Sequence, residues 1–203
     1  HRGGVAPRTV YTNERFGSPI ALAAGTLLVG APGVRAFSSV GTTVTTLYDV
    51  GAVFVTAVPE TGSLAEDAFA KLSGVPREDD RYGSALALSS DARAAIVGQP
   101  GYDHNTGVSQ WADVGQAFVL ARGSAGGFAS VDGLYASDIG ARTGSALAVV
   151  PGVIGSGAPG FESGAGKVNV YALDPAGKWQ RKGEMRPLAP SAGSRFGSAI
   201  ATR

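Results

Sequence analysis

The sequence predicts an all-β protein, a β-propeller of four-stranded antiparallel blades, with three full blades and the first strand of a fourth. Three observations predict it. A heptapeptide recurs four times along the chain. In its first three copies a Gly/Pro turn and then a Gly-led apolar run follow in the same order. Glycine is abundant, and no stretch carries a capped apolar period of helical spacing, so almost no helix is expected.

The heptapeptide reads Arg15-Phe16-Gly17-Ser18-Pro19-Ile20-Ala21, and its second copy is Arg81-Tyr82-Gly83-Ser84-Ala85-Leu86-Ala87. It returns as Arg142-Thr143-Gly144-Ser145-Ala146-Leu147-Ala148 and as Arg195-Phe196-Gly197-Ser198-Ala199-Ile200-Ala201. Its glycines lie 66, 61 and 53 residues apart. The turn motif is Gly30-Ala31-Pro32-Gly33, Gly98-Gln99-Pro100-Gly101 and Gly157-Ala158-Pro159-Gly160. The closing runs begin at Gly51, Gly115 and Gly166.

Each unit then supplies four short strands. Ser18 to Leu22, Ser84 to Leu88 and Ser145 to Val149 are small-residue apolar runs suited to burial on both faces. Thr26 to Val29, Ala94 to Val97 and Gly152 to Ile154 are the second runs, each stopped by a Gly/Pro turn. Third strands start at the closing runs. Fourth strands are expected over Ala68 to Leu72, Gly127 to Val131 and Lys178 to Met185. The first strands would line a crowded channel, with Phe16, Tyr82 and Phe196 packing between blades. Thr143 is the weak version of that anchor and predicts looser packing in the third blade.

The resulting organisation is an N-terminal segment over 1–14 with a candidate closing strand from Pro7 to Tyr11. Blades follow over 15–80, 81–141 and 142–194, and the first strand of a fourth lies at 195–203. Three blades and a strand do not close a ring of four to eight. The expectation is a segment of a longer propeller. A ring closed by two copies and a small four-bladed form are the alternatives.

These motifs resemble the FG-GAP repeat, named for its Phe-Gly and Gly-Ala-Pro pairs, which builds the head of integrin α-chains. Phe16-Gly17 with Gly30-Ala31-Pro32 carries both halves, and Tyr82-Gly83 with Gly98-Gln99-Pro100 is a near match. Trp179 ahead of Phe196-Gly197 resembles the bacterial and algal variant. The likeness spans residues 15–201 and implies seven blades in the full ring. It also implies an extracellular or cell-surface module for adhesion or interaction. The alternative is a structural blade set of a larger extracellular assembly, or a non-catalytic appendage of a secreted enzyme. A start at His1 fits a processed, secreted chain.

Family blades often hold Ca²⁺ in an Asp/Asn-rich loop between the first two strands. The matching loops here, Ala23-Ala24-Gly25, Ser89 to Arg93 and Pro151-Gly152, are short and carboxylate-poor. No cofactor is therefore expected, and the remaining Ca²⁺ candidate is Asp103 and Asn105 with Asp113 at the end of the same loop. A turn with Asp103 capping backbone amides is the competing reading, and Asp49 and Asp113 share a place two residues before a closing run.

Other chemistry is bounded by composition. Lys and Arg number 17, Asp and Glu 16, and the net charge is +1, which gives no footprint for nucleic acid. No apolar run is long enough to insert in a membrane. Cysteine is absent. The motif serines lack the second glycine of a nucleophile elbow, and only His1 and His104 are present, so no enzyme is expected.

Two surface features remain. Arg15, Arg81, Arg142 and Arg195 either ring the channel and hold an anion or bind carbonyls and carboxylates between blades. The long connections Val34 to Val50 and Tyr102 to Trp111 should lie on one face. Tyr48, Tyr102 and Trp111 there are amphipathic anchors for a protein or glycan partner. Further blades of the same chain, or a second copy, are the other expected partners.

Overall fold

A computed structural model describes residues 14–63, 69–72, 77–105 and 110–202. The expected strand from Pro7 to Tyr11, residue Ala68, and Thr106 and Gly107 of the polar loop lie outside the described residues.

The chain is all-β. Three four-stranded antiparallel sheets follow one another along it, and each is a meander in which chain neighbours pair. The first sheet comprises β1 (Ile20–Ala23), β2 (Thr26–Ala31), β5 (Ala52–Ala57) and β6 (Ala70–Leu72). The second comprises β7 (Leu86–Leu88), β8 (Ala94–Gln99), β11 (Gln116–Arg122) and β12 (Phe128–Tyr135). The third comprises β13 (Ala146–Val150), β14 (Val153–Ala158), β15 (Lys167–Leu173) and β16 (Trp179–Met185). All twelve lie on the runs read from the sequence. The second strands reach further than expected, into the Gly-Ala-Pro turn, and β12 runs on to Tyr135.

Two small hairpins were read from the sequence as loops. Between β2 and β5, β3 (Ala36–Val40) pairs with β4 (Thr43–Leu47) across Gly41-Thr42. Between β8 and β11, β9 (His104–Asn105) pairs with β10 (Gln110–Trp111). A single helical turn, α1 (Phe161–Gly164), fills the equivalent place in the third unit.

The repeat motif marks where one sheet meets the next. Closing-run glycines pair in parallel with the residue after the motif arginine of the following unit: Gly51 with Tyr82, Gly115 with Thr143, and Gly166 with Phe196. A Cβ on Gly30, Gly98 or Gly157 would overlap the carbonyl oxygen of Gly83, Gly144 or Gly197 respectively. The Gly-Ala-Pro glycine of one sheet thus abuts the Phe-Gly glycine of the next, backbone on backbone, and a side chain at either place would hold the sheets apart.

Apolar cores lie between the sheets. Leu28, Val53 and Val55 of the first pack with Tyr82, Val97, Leu120 and Phe128 of the second. Ile96, Ala117 and Val119 of the second pack with Leu147, Ile154 and Tyr171 of the third. Leu86 and Leu88 are covered by the first sheet, but their counterparts Ile20 and Leu22 are 62% and 64% exposed. Tyr82 packs between sheets as expected, whereas Phe16 and Phe196, at the two ends of the described array, are partly open.

One layer changes character in the third unit. Phe16 meets Phe54 edge-on at 5.3 Å, and Tyr82 meets Phe118 at 5.7 Å. Val29 stands in register with Phe54, and Val97 with Phe118. In the third unit the same three places hold Thr143, Ser156 and Asn169, with Ser156 in register with Asn169. All three are fully buried. Ser156 Oγ accepts the Gly144 N–H at 3.1 Å, but Thr143 Oγ1 and both amide atoms of Asn169 have no hydrogen-bond partner among the described residues. Thr143, the weak anchor of the sequence reading, is fully buried. It sits in an enclosed polar layer.

Candidate interaction face

Both extra hairpins rise from second-to-third strand connections, the ends of the sheets where Gly-Ala-Pro turns lie. On the second hairpin, the cross-strand pair His104 and Trp111 places the two rings 5.6 Å apart. The His104 ring also lies 6.4 Å from Tyr102 and stacks on Tyr135 at 6.0 Å with planes 17° apart. His104 is therefore the hub of four rings, with Tyr135 the most exposed at 59%. The Arg77 guanidinium sits 5.4 Å over Tyr102 and donates to the Asp103 carbonyl at 3.2 Å.

On the first hairpin, Tyr48 is half exposed and carries the Arg35 guanidinium 4.8 Å over its ring. Residues 77–79 run between the two groups. Asp79 N–H donates to the Tyr48 carbonyl at 3.0 Å, while Arg77 covers Tyr102. Of the three anchors read from the sequence, Tyr102 and Trp111 converge on His104, and Tyr48 joins them through this short segment.

Sequence reasoning missed His104 and Tyr135 as members. The pairing of Asn105 with Gln110 and of His104 with Trp111 was hidden in a polar loop. Tyr135 was excluded by ending the fourth strand at Val131. A register shift in the β11–β12 pairing at Val131 puts Phe128 in the core against the first sheet and Leu134 in the core against the third, so no plain two-residue alternation carries the strand on to Tyr135.

The calcium candidates adopt a different arrangement. Asp103 Oδ1 accepts the Asp113 N–H at 2.8 Å, capping the loop. Asp113 Oδ2 accepts from Arg142 at 2.9 Å, so its carboxylate is matched with a guanidinium of the next unit. Asn105 lies on β9. Two arginines engaging this loop, and a carboxylate already occupied by an amide, do not fit a hard cation that needs six to eight oxygens. Among the described residues no three Asp, Glu, His or Cys side chains converge as a metal site.

Asp80 sits behind this face and is buried. Gln99 Nε2 donates to its carboxylate, and Gln116 Nε2 donates in turn to Gln99 Oε1 at 3.3 Å. Burial pushes its carboxyl up from 3.8 to about 7, against the lowering by Gln99 and Arg77, with Asp103 and Asp79 adding to the rise. The glutamine that replaces alanine in the second Gly-Ala-Pro copy thus has a specific partner.

Three of the four motif arginines converge. Arg15, Arg81 and Arg142 line a pocket of about 250 Å³ together with Ser84, Ser145 and Asp113. All four motif arginines hold left-handed backbone, with φ between 53° and 56°. Arg81 N–H donates to the Asp49 carbonyl, Arg142 N–H to that of Asp113 and Arg195 N–H to that of Gly164. Ser84, Ser145 and Ser198 hydroxyls each donate back to the carbonyl of their own motif arginine at 2.7–2.8 Å. These serines are turn caps.

No protein-family model matches this chain, and no curated protein is similar to it.

Proposed function

We propose that this chain is a non-catalytic interaction module of the FG-GAP type, three blades and the first strand of a fourth of a β-propeller, working outside the cell or at its surface. Its long-connection face binds a protein or glycan partner. The observation that carries this reading is the surface ring cluster of part-buried Tyr102, His104 and Trp111 with exposed Tyr135, flanked by Arg77 and by the Arg35–Tyr48 stack. Rigid aromatic faces with guanidinium neighbours lose little entropy on binding and suit sugar rings and protein side chains alike. The motif serines support a non-catalytic role, because their hydroxyls are tied into turns. Screening on a glycan array and on immobilised extracellular proteins tests it. The chain should bind at least one class, and Tyr48, Tyr102 and Trp111 changed together to Ala should lose that binding. Unchanged binding by the triple variant would overturn the assignment of the face.

A second reading, a blade set embedded in a larger ring, is favoured by Phe16, Ile20 and Leu22. They are open on the first sheet, while their counterparts in the next two sheets are covered by a preceding sheet. Native mass spectrometry separates a monomer from a ring closed by two copies.

A further inference from the structure

We propose that the pocket between Arg15, Arg81 and Arg142 is a binding site for an oxyanion, a sulfate or carboxylate group. The inference is independent of the aromatic face. A left-handed backbone position favours glycine, and arginine there costs about 1 kcal/mol or more. This chain places arginine at that position four times, with φ within a few degrees in each copy. In each copy the motif serine N–H bonds to the arginine carbonyl, and Arg81, Arg142 and Arg195 are also held through their own N–H, so the shared turn sends the side chains out in equivalent directions. The identity of the residue is therefore set by its side chain and not by its backbone.

The guanidiniums are also underused. Arg142 donates to Asp113, but among the described residues the side chains of Arg15 and Arg81 donate no hydrogen bond. Arg81 approaches Asp49 only to 3.6 Å and Asp79 only to 3.8 Å, and its Nε is buried without a partner. Three guanidiniums and one carboxylate line the pocket; Asp113 stands against Arg142 and Asp49 and Asp79 stand near Arg81, so among the described residues Arg15 is the lining guanidinium with no carboxylate beside it. Ser84 and Ser145 turn their hydroxyl hydrogens away to the arginine carbonyls, so the free donors facing the pocket are those of arginine. Planar forks of five N–H groups match the oxygens of carboxylate and sulfate. The pocket exceeds one inorganic ion, whose volume is near that of a few waters at about 30 Å³ each, so it has space for the group that bears the charge.

The test is calorimetric titration with sodium sulfate, and separately with a sulfated oligosaccharide, against chloride at matched ionic strength. The variants are Arg15→Gly alone and Arg15→Gly with Arg81→Gly, since glycine preserves the left-handed backbone. Sulfate should bind the parent and lose at least tenfold in affinity in the double variant, with the single variant intermediate. Arg15 is exposed and makes no side-chain hydrogen bond among the described residues, so the single variant keeps the assay interpretable if the double variant melts early. Tighter binding of the oligosaccharide, displaced by sulfate, assigns the site to a group on a polymer; equal affinity assigns it to a free ion. Binding no stronger than chloride, or affinity unchanged in both variants, overturns the proposal.

Discussion

Gly98 lies against the carbonyl oxygen of Gly144, with no space between them for a side chain. The two belong to different motifs and different sheets. Their contact explains why the heptapeptide and the Gly/Pro turn recur as a pair. Each supplies half of a backbone-to-backbone seam, closed by hydrogen bonds such as Thr143 N–H to the Val114 carbonyl at 3.0 Å.

Gly98→Ala should therefore cost about 2–3 kcal/mol, the size of an overpacked core, because the second and third sheets must part. Gly133→Ala is the control. Gly133 lies on β12 with open space around its missing Cβ. It should change stability by less than about 1 kcal/mol. Urea denaturation of both variants checks the difference.

The buried layer of the third unit makes a separate prediction. Thr143 Oγ1 faces no partner among the described residues, and an unsatisfied buried hydroxyl costs about 1–3 kcal/mol. Thr143→Val keeps the shape and removes the polar atom. It should raise stability by about 1 kcal/mol. A fall in melting temperature instead would mean that the hydroxyl is satisfied in solution, by a water shared with Asn169.

The strands and their order were legible because the repeat is written in glycines and small residues, which the backbone seam demands. Gly30, Gly98 and Gly157 read as turns, yet their larger role is to let sheets touch, and no single-unit pattern carries that information. The hairpin β3–β4 was legible in principle. Gly41-Thr42 between β-branched runs is a two-residue hairpin signal that was passed over as loop. At the candidate face, Tyr48, Tyr102 and Trp111 were legible as aromatic residues in long connections. The hub His104 was not, because its role depends on Tyr135 arriving from a different strand. The polar layer of Thr143, Ser156 and Asn169 was illegible for the same reason: three separated residues become one layer only through strand register.

Asp80 gives the protein a pH dependence of stability. The unfolded carboxyl titrates near 3.8 and the folded one at about 7, so between these values the native state retains a proton that the unfolded chain has released. Stability is fullest below the unfolded value and falls as pH rises through about 7. Asp80→Asn holds the neutral, hydrogen-bonding form and should flatten that fall while preserving an amide beside Gln99. Melting temperatures across the range, compared between parent and variant, check it. A parent whose stability rises over this interval would contradict the prediction.

Lys167 is the opposite case, a buried cation that the third unit supplies where the others have Ala52 and Gln116. Its Nζ reaches Asp138 at 2.7 Å and Glu184 at 3.0 Å and sits 3.8 Å over the Phe161 ring. Lys167 and then Arg186 hold the Glu184 carboxyl down from 4.5 to about 2. That contribution is present above the unfolded value and is lost as pH falls toward about 2. Lys167→Met fills the apolar stem but takes the cation from Asp138 and one of three from Glu184, which keeps Arg181 and Arg186. It should cost about 3 kcal/mol at neutral pH, the low end for breaking a buried pair, since both partners retain some solvent. The deficit should shrink in acid, as Glu184 protonates and no longer needs a cation. Paired urea titrations at neutral and acid pH read both effects, and a deficit that stays constant between them would show that packing around Lys167, and not its charge, holds the third sheet together.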